Sequence, residues 1–230
     1  MAIFTSGGAV GQISGRVGGL VYSHNRGGPY IRNGTIPTLV TSDEAINAKA
    51  RMTAQSQRWD NLTDTQRLSW KTWAASNPVV NRLGKQVIVG ANAAFVGINT
   101  RCNLAGQALI DDPPIADPPL ALASITLTLD IGAGNFQIAY TATPTPADVH
   151  VWVRLCVLNN PAVNYVENRL RFLGVSAPGV ASPFDIEALT EARFGTLAVG
   201  QKVVARVHTF DRTTGLLSAP IQADGLIITT

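Results

Sequence analysis

Apolar and polar positions change their period once along the chain. Between residues 42 and 104 apolar residues recur at helical spacing; from residue 120 onward they alternate one by one. Ser42-Asp43-Glu44 reads as a helix start, a capping residue followed by acids in the first turn. Ala45, Ile46, Ala50, Met52, Thr53 and Ala54 continue it as a stripe of small and apolar residues to about Trp59. Thr63 and Gln66 match a capping box, with Leu62 placed as its hydrophobic staple, so a second helix is expected over 64–76. Asn77-Pro78 ends it. Gln86 to Val89 reads as a short strand. A third helix follows from Ala91 to Leu104, with Ala94, Phe95, Ile98 and Cys102 on one face and Gly106 as its C-cap. Trp59, Leu62, Leu68, Trp70, Trp73 and Phe95 are the expected core of this helical module, since each aromatic can bury about 150–250 Å².

The period-2 region begins with Ile125, Leu127 and Leu129, then Phe136, Ile138 and Tyr140, then His150 to Val157. Further strands are expected over 170–175, 184–188, 202–210 and 221–229. Turn residues separate them at Gly132–Asn135, Pro144/Pro146, Asn159-Asn160-Pro161 and Thr213-Thr214-Gly215. Seven short strands in this length predict an antiparallel β-sandwich.

Two segments have neither period. Residues 1–34 hold nine of the 21 glycines, with apolar anchors between them. Leu20 to Ser23 and Pro29 to Arg32 read as short strands around the turn chemistry of His24-Asn25-Arg26-Gly27-Gly28. Such an arm is poorly stable alone and gains from lying against its own core or a neighbouring subunit. Residues 111–119 contain four prolines and form a stiff linker. The expected fold class is therefore α+β. A glycine-rich arm with short strands (1–41) precedes a helical module (42–110), a Pro-rich linker (111–119) and a β-sandwich (120–230).

Charge sharpens this division. The whole chain carries +3, but residues 1–110 hold eleven Lys/Arg against four Asp/Glu and residues 111–230 hold seven against eleven, so the halves carry +7 and −4. Arg16, Arg26, Arg32, Lys49, Arg51, Arg58, Arg67, Lys71, Arg82 and Lys85 lie near Tyr22, Tyr30 and three tryptophans. Cations for phosphates and aromatics for stacking would suit weak nucleic-acid contact. No helix-turn-helix, RNA-recognition or zinc-finger pattern accompanies them. Helical spacing assigns the tryptophans to a core instead, and Arg with aromatics is also what protein interfaces favour.

The remaining composition points away from chemistry. Hydrophobic residues at 46% and charged residues at 14% exclude bulk disorder, and no apolar run approaches the roughly 18 residues of a membrane span. Two cysteines, read as free thiols, exclude a disulfide scaffold and a four-cysteine zinc site; three histidines make poor metal-site material. The glycines around Gly7–Gly11 and Gly15–Gly19 lack the Gly-Lys-Ser/Thr of a phosphate loop. His24 beside Ser23 has no Gly-x-Ser-x-Gly context. Asp111, Asp112 and Asp117 are held extended by prolines, whereas a cation needs converging oxygens. The expectation is a non-enzymatic protein with no catalytic residues, cofactor or metal. The first residues do not read as a secretory signal, so the Asn33-Gly34-Thr35 and Asn61-Leu62-Thr63 sequons are expected to be chance matches.

Two resemblances add to this reading. Lys202 to Phe210, the turn at Asp211 to Gly215 and the exit Ser218-Ala219-Pro220 resemble the last hairpin of a fibronectin type III domain. The resemblance spans about residues 118–230 and implies an immunoglobulin-like sandwich, although the aromatic that marks the second strand is here Phe136 or Tyr140 and not Trp. Arg32-Asn33-Gly34-Thr35, then Trp59-x-x-Leu62-Thr63-x-x-Gln66-Arg67-x-x-Trp70 and Gly90-x-Asn92-x-x-Phe95, are similar to uncharacterised proteins of tailed bacteriophages and prophages. That similarity implies a virion component assembled in the host bacterial cytoplasm. The expectation is a homo-oligomeric, capsid-associated decoration or minor head protein without membrane contact, whose partners are other virion proteins. The alternatives are a tail position or nucleic-acid binding by the basic half. The arm residues expected at the assembly interface are Val10, Ile13, Arg16, Val17, Leu20, Tyr22, Arg26, Tyr30 and Arg32.

Overall fold

The computed structural model describes residues 2–3, 13–35, 42–81, 83–141 and 145–229. Among them the fold is mixed α+β, with four helices and antiparallel sheets. The chain divides into two compact units, residues 1–100 with 111–113 and residues 101–110 with 114–230. The crossing therefore begins within the third helix, before the Pro-rich linker, and the first linker residues return to the first unit.

In the first unit, β1 (Ala2–Ile3), β2 (Gly15–Val17), β3 (Leu20–Asn25) and β4 (Gly28–Asn33) form one antiparallel sheet in the order β1-β4-β3-β2. Two tight turns set its register. Gly18 at φ 55° opens the β2–β3 turn, a conformation that favours glycine. Asn25 Oδ1 accepts from the Gly27 amide at 2.8 Å in the β3–β4 turn, the local bond that makes Asn a turn residue.

Helix α1 (Asp43–Asp60) begins without a side-chain cap from Ser42, whereas α2 (Asp64–Ser76) has the full capping box between Thr63 and Gln66. A minimal ribbon of β5 (Val79–Val80) and β6 (Gln86–Val87) leads to α3 (Ala91–Leu104). The α3 end is a Schellman motif: the Gln107 amide donates to the Cys102 carbonyl and the Gly106 amide to that of Asn103.

The helical core departs from the sequence expectation at Leu68. Trp70 and Phe95 are fully buried, with ring centroids 5.5 Å apart edge to face; Trp59 lies 5.5 Å from Phe95 and Trp73 lies 5.7 Å from Trp70. Leu62, Ala74, Ala94 and Ile98 complete it. Leu68 does not join them and is 62% exposed. It stands two positions from Trp70, which at 3.6 residues per turn places it on the opposite side of α2.

The second unit holds β7 (Ser124–Asp130), β8 (Asn135–Thr141), β9 (Val149–Leu158), β10 (Arg171–Val175), β11 (Phe184–Asp185), β12 (Lys202–Asp211) and β13 (Ile221–Leu226). They form a four-stranded sheet, β10-β9-β12-β13, and a three-stranded sheet, β11-β8-β7, both antiparallel. Strand alternation supplies one shared core: Val151, Val153 and Leu155 from β9, Val203, Ala205 and Val207 from β12, Phe136, Ile138 and Tyr140 from β8, and Leu129 from β7. On the other face of the larger sheet, Cys156, Leu158 and Val204 pack under Val166 and Leu170. Residues 184–188, expected as one strand, divide into β11 and the start of helix α4 (Glu187–Phe194). Asp185 Oδ1 accepts from the Glu187 amide at 3.0 Å and turns the chain into that helix.

Candidate assembly surface

The register of the arm sheet sorts its side chains onto two unlike faces, because residues directly opposite one another share a face. Tyr22 lies across from Ile31 and Gly15, Leu20 from Val17 and Asn33, and His24 from Pro29. This face is therefore apolar at its centre, with Val17, Leu20, Tyr22, Pro29 and Ile31, and holds no Lys, Arg, Asp or Glu. Val21 lies across from Arg16 and Arg32, and Ser23 from Tyr30. Both strand arginines thus stand on the second face.

Both faces are partly covered: Val21, Tyr22, Ser23, Pro29, Tyr30 and Ile31 are half-buried. From residue 13 to residue 54, through β2, β3, β4 and the first two-thirds of α1, no described side chain is buried; the first that is buried is Gln55. Val17 is 67% exposed and Leu20 40%. Ile46 and Met52 on α1 are also exposed.

The residues expected at the interface distribute as follows. Val10 lies outside the described residues. Ile13 is half-buried just before β2. Val17, Leu20 and Tyr22 gather on the apolar face, while Arg16, Tyr30 and Arg32 share the other. Arg26 is placed differently: its guanidinium lies against Gly90, so close that a Cβ there would come within 2.6 Å of Nη1. Asn81 Nδ2 donates to the Gly27 carbonyl at 3.2 Å beside it. The β3–β4 turn therefore ties the sheet to the rest of its unit. Pro29 and Ile31, expected from the sequence as strand residues but not at the interface, lie on the apolar face as well. The signal for them was the two-residue turn Arg26-Gly27, which fixes the register and hence the face of every residue in β3 and β4.

Burial pushes the Cys102 thiol up to about 11 and raises that of Cys156, so neither is an activated nucleophile. His208 in β12 is lowered, first by desolvation, although its Nδ1 lies 2.9 Å from the Ser218 carbonyl. His150 contacts the Ser176 carbonyl through Nδ1 at 2.7 Å, and its buried Nε2 has no partner. Among the described residues no group of three His, Cys, Asp or Glu side chains could hold a metal ion, and no helix is long and apolar enough to cross a membrane. Compared with known families and with characterised proteins, the sequence matches none.

Proposed function

We propose that the chain is a non-enzymatic structural component of a bacteriophage virion, associated with the capsid and anchored through its arm sheet and α1. One observation carries this reading. Three strands and the first two-thirds of an 18-residue helix are formed by the described residues between 13 and 54 without one fully buried side chain. A small sheet needs its hydrophobic face covered to be stable in water, and a helix draws most of its stability from packing. Surface that an isolated chain leaves open is surface that an assembly can cover. The virion context comes from the motif resemblance read at Trp59–Trp70 and Gly90–Phe95.

The second unit fits the role of a display or adhesion module. Its sheet orders, β10-β9-β12-β13 and β11-β8-β7, and the single core lined by alternate residues of both sheets, support the fibronectin type III-like sandwich expected from the sequence. Many unrelated functions share such a scaffold, so this likeness bears on architecture alone.

The test is a density-gradient fractionation of lysate from a producing culture, blotted for this chain with and without nuclease. Co-migration with intact particles, unaffected by nuclease, supports the virion reading; separation of head and tail fractions then decides between capsid and tail. A soluble, nuclease-sensitive signal overturns it in favour of nucleic-acid binding. The grouping of Arg16 and Arg32 on one sheet face favours that second reading. It requires affinity for DNA that falls steeply with salt.

A further inference from the structure

We infer that the face of the four-stranded sheet turned away from the main core carries a binding site, centred on Arg154, for a tetrahedral dianion such as phosphate or sulfate. The site lies in the second unit and is independent of the assembly reading.

The strand register builds it. Residues directly opposite one another on neighbouring strands share a face. Phe172, Arg154, Arg206 and Gln222 therefore form one row across β10, β9, β12 and β13. Trp152 and His208 form the next row. Alternation puts both rows on the side opposite the core residues Val153, Leu155, Ala205 and Val207. Arg154 and Arg206 thus stand side by side, an arrangement that costs stability because like charges directly opposite repel.

Carboxylates cancel only part of this charge. Arg206 pairs with Glu167 at 2.7 Å, and Lys202, further along the same face, pairs with Asp224 at 3.2 Å. Arg154 instead donates through Nη2 to the Leu170 carbonyl at 3.4 Å. Arg171 donates to the same oxygen through Nη1 at 3.2 Å. Two guanidiniums therefore converge on one neutral oxygen. Arg101, in the last turn of α3, donates to the Gly215 carbonyl at 3.3 Å, and burial pushes it below its ordinary value. Among the described residues no carboxylate pairs with Arg101, Arg154 or Arg171. Arg101 and Arg154 are half-buried. A charge drawn out of water without a counter-charge is costly, and an anion that reaches it offsets that cost.

The arginines act together at His208. Desolvation first, and then the charges of Arg154, Arg206 and Arg101, oppose its protonation, so cations from β9, β12 and α3 bear on one ring. One guanidinium fork satisfies a carboxylate, whereas phosphate or sulfate offers more oxygens to donors that arrive from several directions. Three uncompensated arginines suit a double negative charge better than a single one.

NMR titration of the isotope-labelled full chain with sodium sulfate, matched in ionic strength by sodium chloride, tests the site. Sulfate should give saturable shifts at Arg154, Arg206 and His208 that chloride does not. Sulfate keeps its double charge across the titration range of histidine. The His208 ring should therefore titrate at higher pH in sulfate than in chloride, because a nearby anion favours the imidazolium, and His24 should not move. Arg154→Gln should weaken binding at least about tenfold. Arg154→Lys keeps the charge and loses the planar fork, so its affinity should fall between those of Arg154→Gln and the parent. Arg212→Gln, which breaks the Asp148 ion pair beyond the end of β12, should leave binding unchanged. Circular dichroism confirms that each variant is folded. Inorganic phosphate should bind as sulfate does, and acetate at least about tenfold more weakly. Glycerol phosphate distinguishes the sources of the anion: tighter binding than inorganic phosphate supports a phosphoryl group carried on a larger molecule, and weaker binding supports the free ion. A chain that shows no saturable shift with either dianion overturns the inference, as does equal binding by Arg154→Gln and the parent. Acetate binding as tight as that of sulfate overturns the assignment to a dianion.

Discussion

Trp70 and Asp111 are joined by a hydrogen bond from the indole Nε1 to the backbone carbonyl at 2.7 Å, and Arg58 grips the carboxylate of the same aspartate at 2.8 Å. Two helices thus hold the first residue of the Pro-rich segment from both its backbone and its side chain. Trp70→Phe keeps most of the apolar burial and loses the bond, so it should destabilise by about 1 kcal/mol; Trp70→Ala should cost about 3–5 kcal/mol. Arg58→Ala should cost no more than about 1 kcal/mol, because the ion pair is partly exposed. Urea unfolding followed by tryptophan fluorescence and circular dichroism measures all three.

Deleting residues 1–35 should leave the helical core and the second unit folded. None of the described residues 13–35 is buried, and the contacts of Arg26 with Gly90 and of Gly27 with Asn81 are small. The expected loss of stability is about 1 kcal/mol or less, read as a change in thermal midpoint. The deletion should nevertheless abolish incorporation into particles. A large loss of stability would mean that the arm serves the chain's own core.

The Thr63–Gln66 capping box predicts its own test. Gln66 N donates to Thr63 Oγ1 at 3.2 Å, and Gln66 Oε1 accepts from the Thr63 amide at 3.1 Å. Thr63→Ala should lower stability by about 1 kcal/mol, and Thr63→Ser should restore most of it. Equal destabilisation by both would place the effect in lost packing of the threonine methyl.

The capping box also shows where the sequence was legible. Local rules with fixed spacings, namely the cap at Thr63, the stop at Asn77-Pro78 and the glycine end of α3 at Gly106, place helix boundaries that the structure reproduces. Period-2 alternation likewise locates the long strands of the second unit. Leu68 was misplaced because it was chosen for hydrophobicity and not for its angle around α2 relative to Trp70. Helix α4 was missed although Asp185 and Glu187 at its start, Arg193 in its last turn and Gly195 after it are all boundary signals. The adjacent Phe184 and Ile186 alternate like a strand and outweighed them. The two faces of the arm sheet follow only once the turn is narrowed from His24–Gly28 to Arg26-Gly27, because a one-residue slip exchanges them.

Both cysteines should be silent toward thiol reagents in the native protein. Cys102 and Cys156 are buried, and desolvation raises both thiols, Cys102 to about 11, so little thiolate forms near neutrality. Ellman's reagent at about pH 8 should label neither thiol until denaturant is added, and then both, since the free thiol titrates at about 8.5. Fast native labelling of one would show that its surroundings open locally.

His208 makes the stability of the second unit depend on pH in a defined direction. Desolvation lowers its folded-state value below the ordinary 6.5, which outweighs the raising effect of the Ser218 carbonyl. As pH falls below about 6.5 the unfolded chain takes up a proton that the folded chain resists, so stability declines until the lowered folded value is reached. Above about 6.5 both states are neutral at this position and its contribution is flat. His208→Gln removes the titrating group, so the loss of thermal midpoint between about pH 7 and pH 5 should be smaller in this variant than in the parent. Comparing the two pH profiles, and not the midpoints at one pH, separates this effect from the lost packing of the ring. Parallel profiles would show that His208 is not the group responsible.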